Sequence, residues 1–251
     1  MTSVQKIIKN IALALAVFLI VSIISGILSA LYALSGVLGL KNEDTKINNE
    51  MSMIDFENGE IATLDIDVNF TNLIIKNGDT LRAETNNKDI NCKQNNQNLQ
   101  IKEKQHNLFS KKNRGDLIVY VPENLNFKNV KISAGAGKIQ VENINTENLD
   151  LELGAGETII NKLNVTNDCK IESGAGKVSI LSGKIDDLNL DIGIGNIEIT
   201  SSITGNSKID AGIGNIKIDG TKISDDSKYG NGKNIIKIDG GIGNIDIEFN
   251  K

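Results

Sequence analysis

A seven-residue motif recurs through the C-terminal half of the chain and constrains its fold more than any other feature. The motif reads GIGNIEI at residues 193–199, GIGNIKI at 212–218 and GIGNIDI at 241–247. Looser copies, with Ala between the two glycines, begin at Gly135, Gly154 and Gly174. Six copies of one pattern predict a repeat architecture, because each copy needs a neighbour to bury its apolar face.

The spacing and alternation of the copies predict the kind of repeat. Their first glycines are 19, 20, 19, 19 and 29 residues apart, and the long last step predicts a surface insertion at 224–234. Apolar residues alternate with polar ones on both sides of the glycines, as expected for two strands joined by a bend. We therefore predict an all-β fold in which residues 131–251 form a β-solenoid, or β-helix, each coil stacking ~4.8 Å from the one before it. Cys169 falls in an inward column and is interpreted as a small buried hydrophobe.

An outward column of carboxylates is the first candidate for function. It lies two residues before the first glycine, and its members are Glu152, Glu172, Asp191, Asp210 and Asp239. Stacked like charges repel, so the column needs counter-charge. Lysines two residues earlier predict three neutralising ion pairs, which are Lys170–Glu172, Lys208–Asp210 and Lys237–Asp239. The alternative is an edge that binds Ca²⁺; no other cofactor is predicted.

A second outward column holds asparagine. Asn196, Asn215 and Asn244 each lie three residues after the first glycine of their copy. Aligned amides hydrogen-bond along a stack, so the column predicts an asparagine ladder with a structural role.

The N-terminal segment predicts a membrane anchor. Residues 11–40 form an uncharged segment, and this segment is longer than the ~20 residues that a helix needs to cross a bilayer. Lys6 and Lys9 precede it, so residues 1–10 are expected in the cytoplasm and the rest outside. A cleaved signal peptide is the alternative, but its apolar region normally spans only about 7–15 residues. We predict a single-pass protein of the bacterial cell membrane, with a polar stalk at 41–60.

Residues 61–130 predict an antiparallel β cap, because short alternating runs are joined by Asn, Gly and Asp turns. Residues 86–115 within and around it hold seven Lys or Arg against two acidic residues. This stretch predicts either a patch for anionic wall polymer or lipid headgroups, or a solvated hairpin and loop. Cys92 and Cys169 lack Cys-x-x-Cys spacing, which argues against a metal or redox pair and leaves a disulfide open.

The sequence lacks the residues that several classes of activity require. The net charge of −5 gives no basic face for nucleic acid, and every glycine motif departs from the dinucleotide and Walker patterns. His106 is the single histidine, so no Ser/His/Asp or Cys/His set can be drawn. Asp186/Asp187 and Asp225/Asp226 are adjacent pairs, unlike the separated carboxylates of glycosidases. No catalytic or cofactor-binding residue is predicted.

The motifs carry one family resemblance. The runs LIVYVP at 117–122 and VKISAGAGKI at 130–139, followed by the reiterated Leu-x-Leu-x-x-Gly-x-Gly-x-Ile-x-Ile pattern, resemble the bacterial family labelled "putative adhesin". The resemblance covers residues 61–249. It implies a cell-surface β-helical domain of unknown function, often behind a membrane segment and in some relatives associated with envelope stress.

The resulting functional hypothesis is a membrane-anchored, extracytoplasmic, non-enzymatic surface-binding or scaffold protein. Its expected partners are a cell-wall polymer or an envelope protein. One alternative is a solenoid enzyme that acts on cell-wall or extracellular polysaccharide. Another is a sensory or regulatory partner in the membrane.

Overall fold

The described fold is all-β. Along strands such as Thr63–Val68 and Asp116–Val121, buried residues alternate with more exposed ones, as expected when one face of a strand packs on the core. The computed structural model describes residues 51–56, 61–104, 115–201, 205–210, 215–223 and 234–249. The predicted anchor at 11–40, His106 and most of the 224–234 insertion lie outside these ranges. Within them, no helix has the length and apolar character needed to cross a membrane.

Thirteen strands form one sheet system within the described ranges. Their bounds are β1 Ser52–Asp55, β2 Thr63–Val68, β3 Asn72–Asn77, β4 Arg82–Thr85, β5 Ile90–Asn95, β6 Asn98–Glu103, β7 Asp116–Val121, β8 Phe127–Ile180, β9 Gly183–Ser201, β10 Gly205–Asp210, β11 Asn215–Ile218, β12 Thr221–Ile223 and β13 Asn234–Phe249. β8 continues through three Gly-x-Gly bends without interruption.

Successive repeats stack in parallel, as the sequence predicts. β8 and β9 pair one repeat apart, with Cys169 beside Leu188 and Glu172 beside Asp191. The predicted inward columns are buried wherever their side chains are described, including Ile171, Val178 and Cys169 itself. Each fully buried aliphatic side chain contributes about 1.5–3 kcal/mol, so the aligned columns form the core of the stack.

The second glycine is required for two reasons in the motifs that begin at Gly154, Gly174 and Gly241. At Gly176 the backbone φ is +149°, and a Cβ would overlap the carbonyl oxygen of Gly156 in the neighbouring repeat. An L side chain is therefore strained by its own backbone and also blocked by the next coil. The glycines let the chain bend, and they also let stacked bends approach each other closely.

The parallel stack begins earlier than predicted. β2 and β3 pair in parallel with the first repeat of β8, so the prediction of an antiparallel cap is wrong for these two strands. Asn69 and Thr71 occupy the places of the two glycines, below Gly135 and Gly137. Antiparallel pairing does join β4 to β7 and β5 to β6. β1, inside the range predicted as a stalk, pairs antiparallel with β4.

The last two repeats do not stack in chain order, and here the expectation that each coil follows the one before it is wrong. β13 pairs in parallel with β9 on one side and with β10 and β11 on the other. The final repeat is therefore inserted between the repeats that begin at Gly193 and Gly212. β12 then turns back and pairs antiparallel with β11, through a two-residue turn at Asp219 and Gly220.

Candidate binding surface

The carboxylate column is present and lines a groove along the stack. Glu172 is in register with Asp191, which is in register with Asp239. Asp67 extends the column at its N-terminal end, because β2 places it beside Ser133. The groove has a volume of about 630 Å³ and is lined by Asp67, Ser133, Ala134, Gly135, Glu152, Leu153, Gly154, Glu172, Ser173, Gly174, Asp191 and Gly193. Asp210 is in register with Asp239, but its side chain is not described.

Lysines neutralise part of this column. Lys170 Nζ lies 2.7 Å from Glu172 Oε1, which confirms that predicted ion pair. Lys131 also pairs across repeats, with Nζ at 2.7 Å from Glu152 Oε1 and 3.2 Å from Asp150 Oδ2. Lysine–acid spacing within one repeat does not predict this second pattern, because the pattern joins neighbouring repeats.

Hydrogen bonds fix the ionised state of Glu152. Lys131 donates to one carboxylate oxygen, and the hydroxyl of Ser133 donates to the other at 2.9 Å. These two hydrogen bonds lower the pKa of Glu152 below its ordinary value. The same contact raises the pKa of Lys131. Glu152 is therefore held as a carboxylate.

Asp191 has no lysine two residues before it in its own repeat. Asn189 stands at the position that holds lysine in four of the other five repeats, and both register neighbours of Asp191 are acidic. Within the described residues, no ion pair joins Lys237 to Asp239, and Lys208–Asp210 lies outside the described side chains. Across the same part of the chain, no three His, Cys, Asp or Glu side chains converge to hold a metal ion. The candidate residues Glu152, Glu172, Asp191 and Asp239 thus form an acidic line, and the side chain of the fifth candidate, Asp210, is not described.

The asparagine ladder is confirmed, in an unexpected order. The side-chain amide of Asn244 donates to Asn196 Oδ1 at 3.2 Å, and that of Asn215 donates to Asn244 Oδ1 at 3.3 Å. The three residues therefore stack as Asn196, Asn244 and Asn215, which follows the inserted position of β13.

A second groove lies where the N-terminal loops meet the corner of the stack. Its volume is about 820 Å³, and its lining consists of Asn77, Gly78, Asp79, Pro122, Glu123, Asn124, Asn143, Asn145 and Lys162. Asn143 is only 6 % exposed, and its Oδ1 is buried without a hydrogen-bond partner. The other atoms of this wall are better satisfied, since Asn145 donates to the Glu123 carbonyl at 2.9 Å and accepts from Asn164 at 2.7 Å.

A buried carboxylate, Glu103, completes the first coil. Its Oε2 accepts hydrogen bonds from the backbone N–H groups of Asn69, Phe70 and Thr71 at 2.6, 3.0 and 3.2 Å. In this coil, these three residues occupy the positions that the Gly-x-Gly sequence occupies in the later repeats. No local sequence pattern predicts this role, because Glu103 is over thirty residues from the bend and lies in a basic stretch.

The basic stretch is only partly described, since residues 105–114 are outside the described ranges. Lys88, Lys93, Lys102 and Lys104 line a depression of about 320 Å³ together with Asp89 and Glu103. Lys102 Nζ lies 3.5 Å from Asp65, so this lysine is partly neutralised. The predicted patch therefore mixes charges in its described part.

Cys92 and Cys169 are both free thiols. Burial raises the pKa of Cys169 to about 12 and that of Cys92 to about 11. Both thiols are thus protonated at neutral pH, and Cys169 acts as the buried hydrophobe that the repeat pattern predicts.

The adjacent acids Asp186 and Asp187 have structural contacts. Asp186 lies 3.4 Å from Lys184 Nζ, and Asp187 Oδ1 accepts the backbone N–H of Ile235 at 2.8 Å. Asp187 thereby helps to seat the start of β13 beside β9. Asp225 and Asp226 lie outside the described residues.

A family model described as Toastrack DUF4097 matches residues 61–233, which is more than half of the chain. The chain belongs to the Toastrack DUF4097 family. The match begins just before β2, so the Toastrack region includes the first parallel coil as well as the glycine repeats. This agrees with the family resemblance inferred from the motifs.

Two solved structures are similar to this Toastrack chain. One is described as a putative cell adhesion protein from Clostridium sporogenes ATCC 15579; it is 18 % identical, with 80 % of this chain and 99 % of that chain covered and a TM-score of 0.41. The other is described as a putative adhesin from Bacteroides fragilis NCTC 9343; it is 9 % identical, with 80 % and 98 % covered and a TM-score of 0.30. A comparison with curated proteins finds no match.

Proposed function

We propose that this Toastrack protein is a membrane-anchored, extracytoplasmic surface-binding or scaffold protein that performs no catalysis. The observation that carries the proposal is the contact of Lys131 with Glu152 at 2.7 Å. The hydrogen bond from Lys131 lowers the pKa of Glu152, which lines the groove along the stack. A glycosidase needs a carboxyl group whose pKa is raised, so that it can donate a proton near neutral pH. Glu152 therefore does not suit that proton-donating role, whereas a fixed, ion-paired carboxylate suits the recognition of a partner.

The repeat architecture supports the same role. Stacked coils hold their outward side chains in register, so that a partner meets a rigid array of carboxylates, lysines and amides. Rigid arrays of this kind are well suited to binding because little side-chain entropy is lost on contact. The uncharged segment at 11–40, preceded by Lys6 and Lys9, supports an anchor with the β domain outside the cytoplasm.

The location is tested with the full chain carrying a C-terminal epitope tag in intact bacterial cells. We expect an added protease to remove the tag without cell lysis, and the N-terminus to stay protected and in the membrane fraction. A tag that becomes accessible only after lysis would contradict the proposal.

The absence of catalysis is tested separately. The purified full chain is incubated with isolated cell wall, and newly formed reducing ends are measured. We expect none above the background of a boiled sample. Release that disappears in Glu152→Gln would establish the enzyme alternative.

A further inference from the structure

We propose that the groove at the corner of the stack binds an uncharged saccharide that carries both hydroxyl and acetamido groups. The groove is the one lined by residues 77–79, 122–124, Asn143, Asn145 and Lys162. The inference deepens the proposed binding function by naming a ligand class and a site.

Asn143 is the main evidence for a ligand. A buried amide oxygen without a hydrogen-bond partner costs free energy, so native structures rarely leave one. Asn143 Oδ1 is such an atom, and the side chain belongs to the wall of the groove. The terminal torsion of asparagine is broad, so its amide can turn to face a ligand without a backbone change. A ligand N–H or O–H donor would then satisfy the oxygen.

The parts of the groove wall that flank Asn143 are fixed before any ligand arrives. Asn145 is held from both sides, by the Glu123 carbonyl and by Asn164. The backbone N–H of Asn77 donates to Glu142 Oε2 at 2.8 Å, and that of Gly78 donates to the Val121 carbonyl at 3.0 Å. Binding to preorganised groups costs little ordering entropy, which matters most for weak ligands.

The lining selects for neutral, hydrogen-bonding chemistry. Four asparagines contribute donors and acceptors, while Asp79 and Glu123 outnumber Lys162 by one negative charge. An anionic polymer is therefore disfavoured. Hydroxyl groups match amides as donors and acceptors, and an acetamido group offers both an N–H and a C=O. The volume of about 820 Å³ falls within the usual range of about 300–1,000 Å³ for ligand pockets.

The test is saturation-transfer difference NMR on the full chain in micelles of a detergent without a sugar headgroup. Three probes are compared: tri-N-acetylchitotriose, maltotriose, which lacks acetamido groups, and trigalacturonic acid, which is anionic. We expect the strongest transfer to tri-N-acetylchitotriose, weaker transfer to maltotriose and none to trigalacturonic acid.

Two matched variants locate the binding. Asn143→Leu keeps the side-chain volume and removes the amide, so we expect binding at least about tenfold weaker. Its thermal midpoint should stay the same or rise, because the amide oxygen has no partner to lose; this separates loss of binding from loss of fold. Asn189→Leu makes the same change at an exposed position outside the groove and should bind like the unmodified chain.

Three results would overturn the inference: no transfer to tri-N-acetylchitotriose, preference for the anionic probe, or equal binding by Asn143→Leu. None of them would alter the protease-accessibility result on which the proposed surface location depends. Failure of the saccharide site is thus distinguishable from failure of the proposed function.

Discussion

Asn196 Oδ1 accepts two hydrogen bonds from Asn244, one from its backbone N–H and one from its side-chain amide, each at 3.2 Å. The two residues are 48 positions apart, and the repeat that begins at Gly212 comes between them in the chain. In space that repeat lies beyond Asn244. The C-terminal strand therefore enters a position between two repeats synthesised before it, and its many long-range contacts can form only after both are present.

This order is testable with paired cysteines in a Cys92→Ser background. Asn189 and Lys237 are direct register neighbours, as are Lys208 and Lys237. We expect Asn189→Cys with Lys237→Cys to form a disulfide under mild oxidation, because neighbouring strands lie ~4.8 Å apart, within disulfide reach. Formation is measured by non-reducing gel mobility and peptide mass spectrometry.

The matched control is Asn189→Cys with Lys208→Cys. These positions are separated by β13 and should stay reduced. A disulfide in the control pair, and none in the first pair, would show that the repeats stack in chain order.

Most of the core can be predicted from the sequence, whereas the order in which the repeats stack cannot. Period-two alternation fixes which side chains point inward, and the repeat length fixes which of them align. However, Asn196, Asn215 and Asn244 occupy the same column with nearly the same neighbours, so the copy at 241 fits beside either of the other two. The first coil also cannot be recognised from the sequence, because Asn69 and Thr71 replace the glycines of the motif. The bend at these residues depends on Glu103 from a distant strand.

Some features of the candidate sites can likewise be predicted from the sequence and others cannot. The acidic column is predictable because it repeats, and so is the Lys170–Glu172 pair within one repeat. The pairing of Lys131 with Glu152 joins two repeats and depends on the side-chain conformation. The corner groove is not predictable, since it combines loops near Gly78 and Pro122 with Asn143 and Lys162. Its key property, the buried Oδ1 of Asn143 without a hydrogen-bond partner, depends on the tertiary structure.

Gly176→Ala should destabilise the protein strongly. Its Cβ would meet the carbonyl of Gly156, and φ is +149°, so both the stack and the backbone are strained. We expect a loss of about 3 kcal/mol in the free energy of unfolding, measured by urea denaturation. Gly220→Ala is the control: φ is +71° but nothing lies within 4 Å, so only about 1 kcal/mol should be lost. Equal effects would mean that close stacking of the bends is unimportant.

Glu103→Ala should also destabilise the fold, because it leaves three backbone N–H groups at the first bend without their acceptor. The expected loss is about 2–4 kcal/mol in urea denaturation. Glu103→Gln keeps one acceptor oxygen and should lose less. If Glu103→Ala unfolds at the same urea concentration as the unmodified chain, the bend does not depend on this carboxylate.

The Lys131–Glu152 contact predicts a dependence of stability on pH. The folded-state pKa of Glu152 is lowered below its ordinary value of 4.5, so the unfolded state takes up a proton first as pH falls. The contribution is therefore complete well above pH 4.5 and is lost as pH falls through the folded pKa. The side chains are 43 % and 39 % exposed, so solvent screening limits the effect to about 1 kcal/mol or less.

Thermal unfolding between pH 3 and pH 7 measures this contribution. Glu152→Gln should lower the midpoint at pH 7, and its difference from the unmodified chain should shrink as the pH falls below 4.5, because the stabilisation by the Glu152 carboxylate is then progressively lost. Glu157→Gln removes the carboxylate of a longer contact, 3.4 Å from Lys138, and should change the midpoint less at pH 7. A difference between Glu152→Gln and the unmodified chain that persists unchanged to pH 3 would mean that the ion pair is not its cause. Added salt should reduce the same difference at pH 7, since exposed charges are screened over about 10 Å at 0.1 M ionic strength.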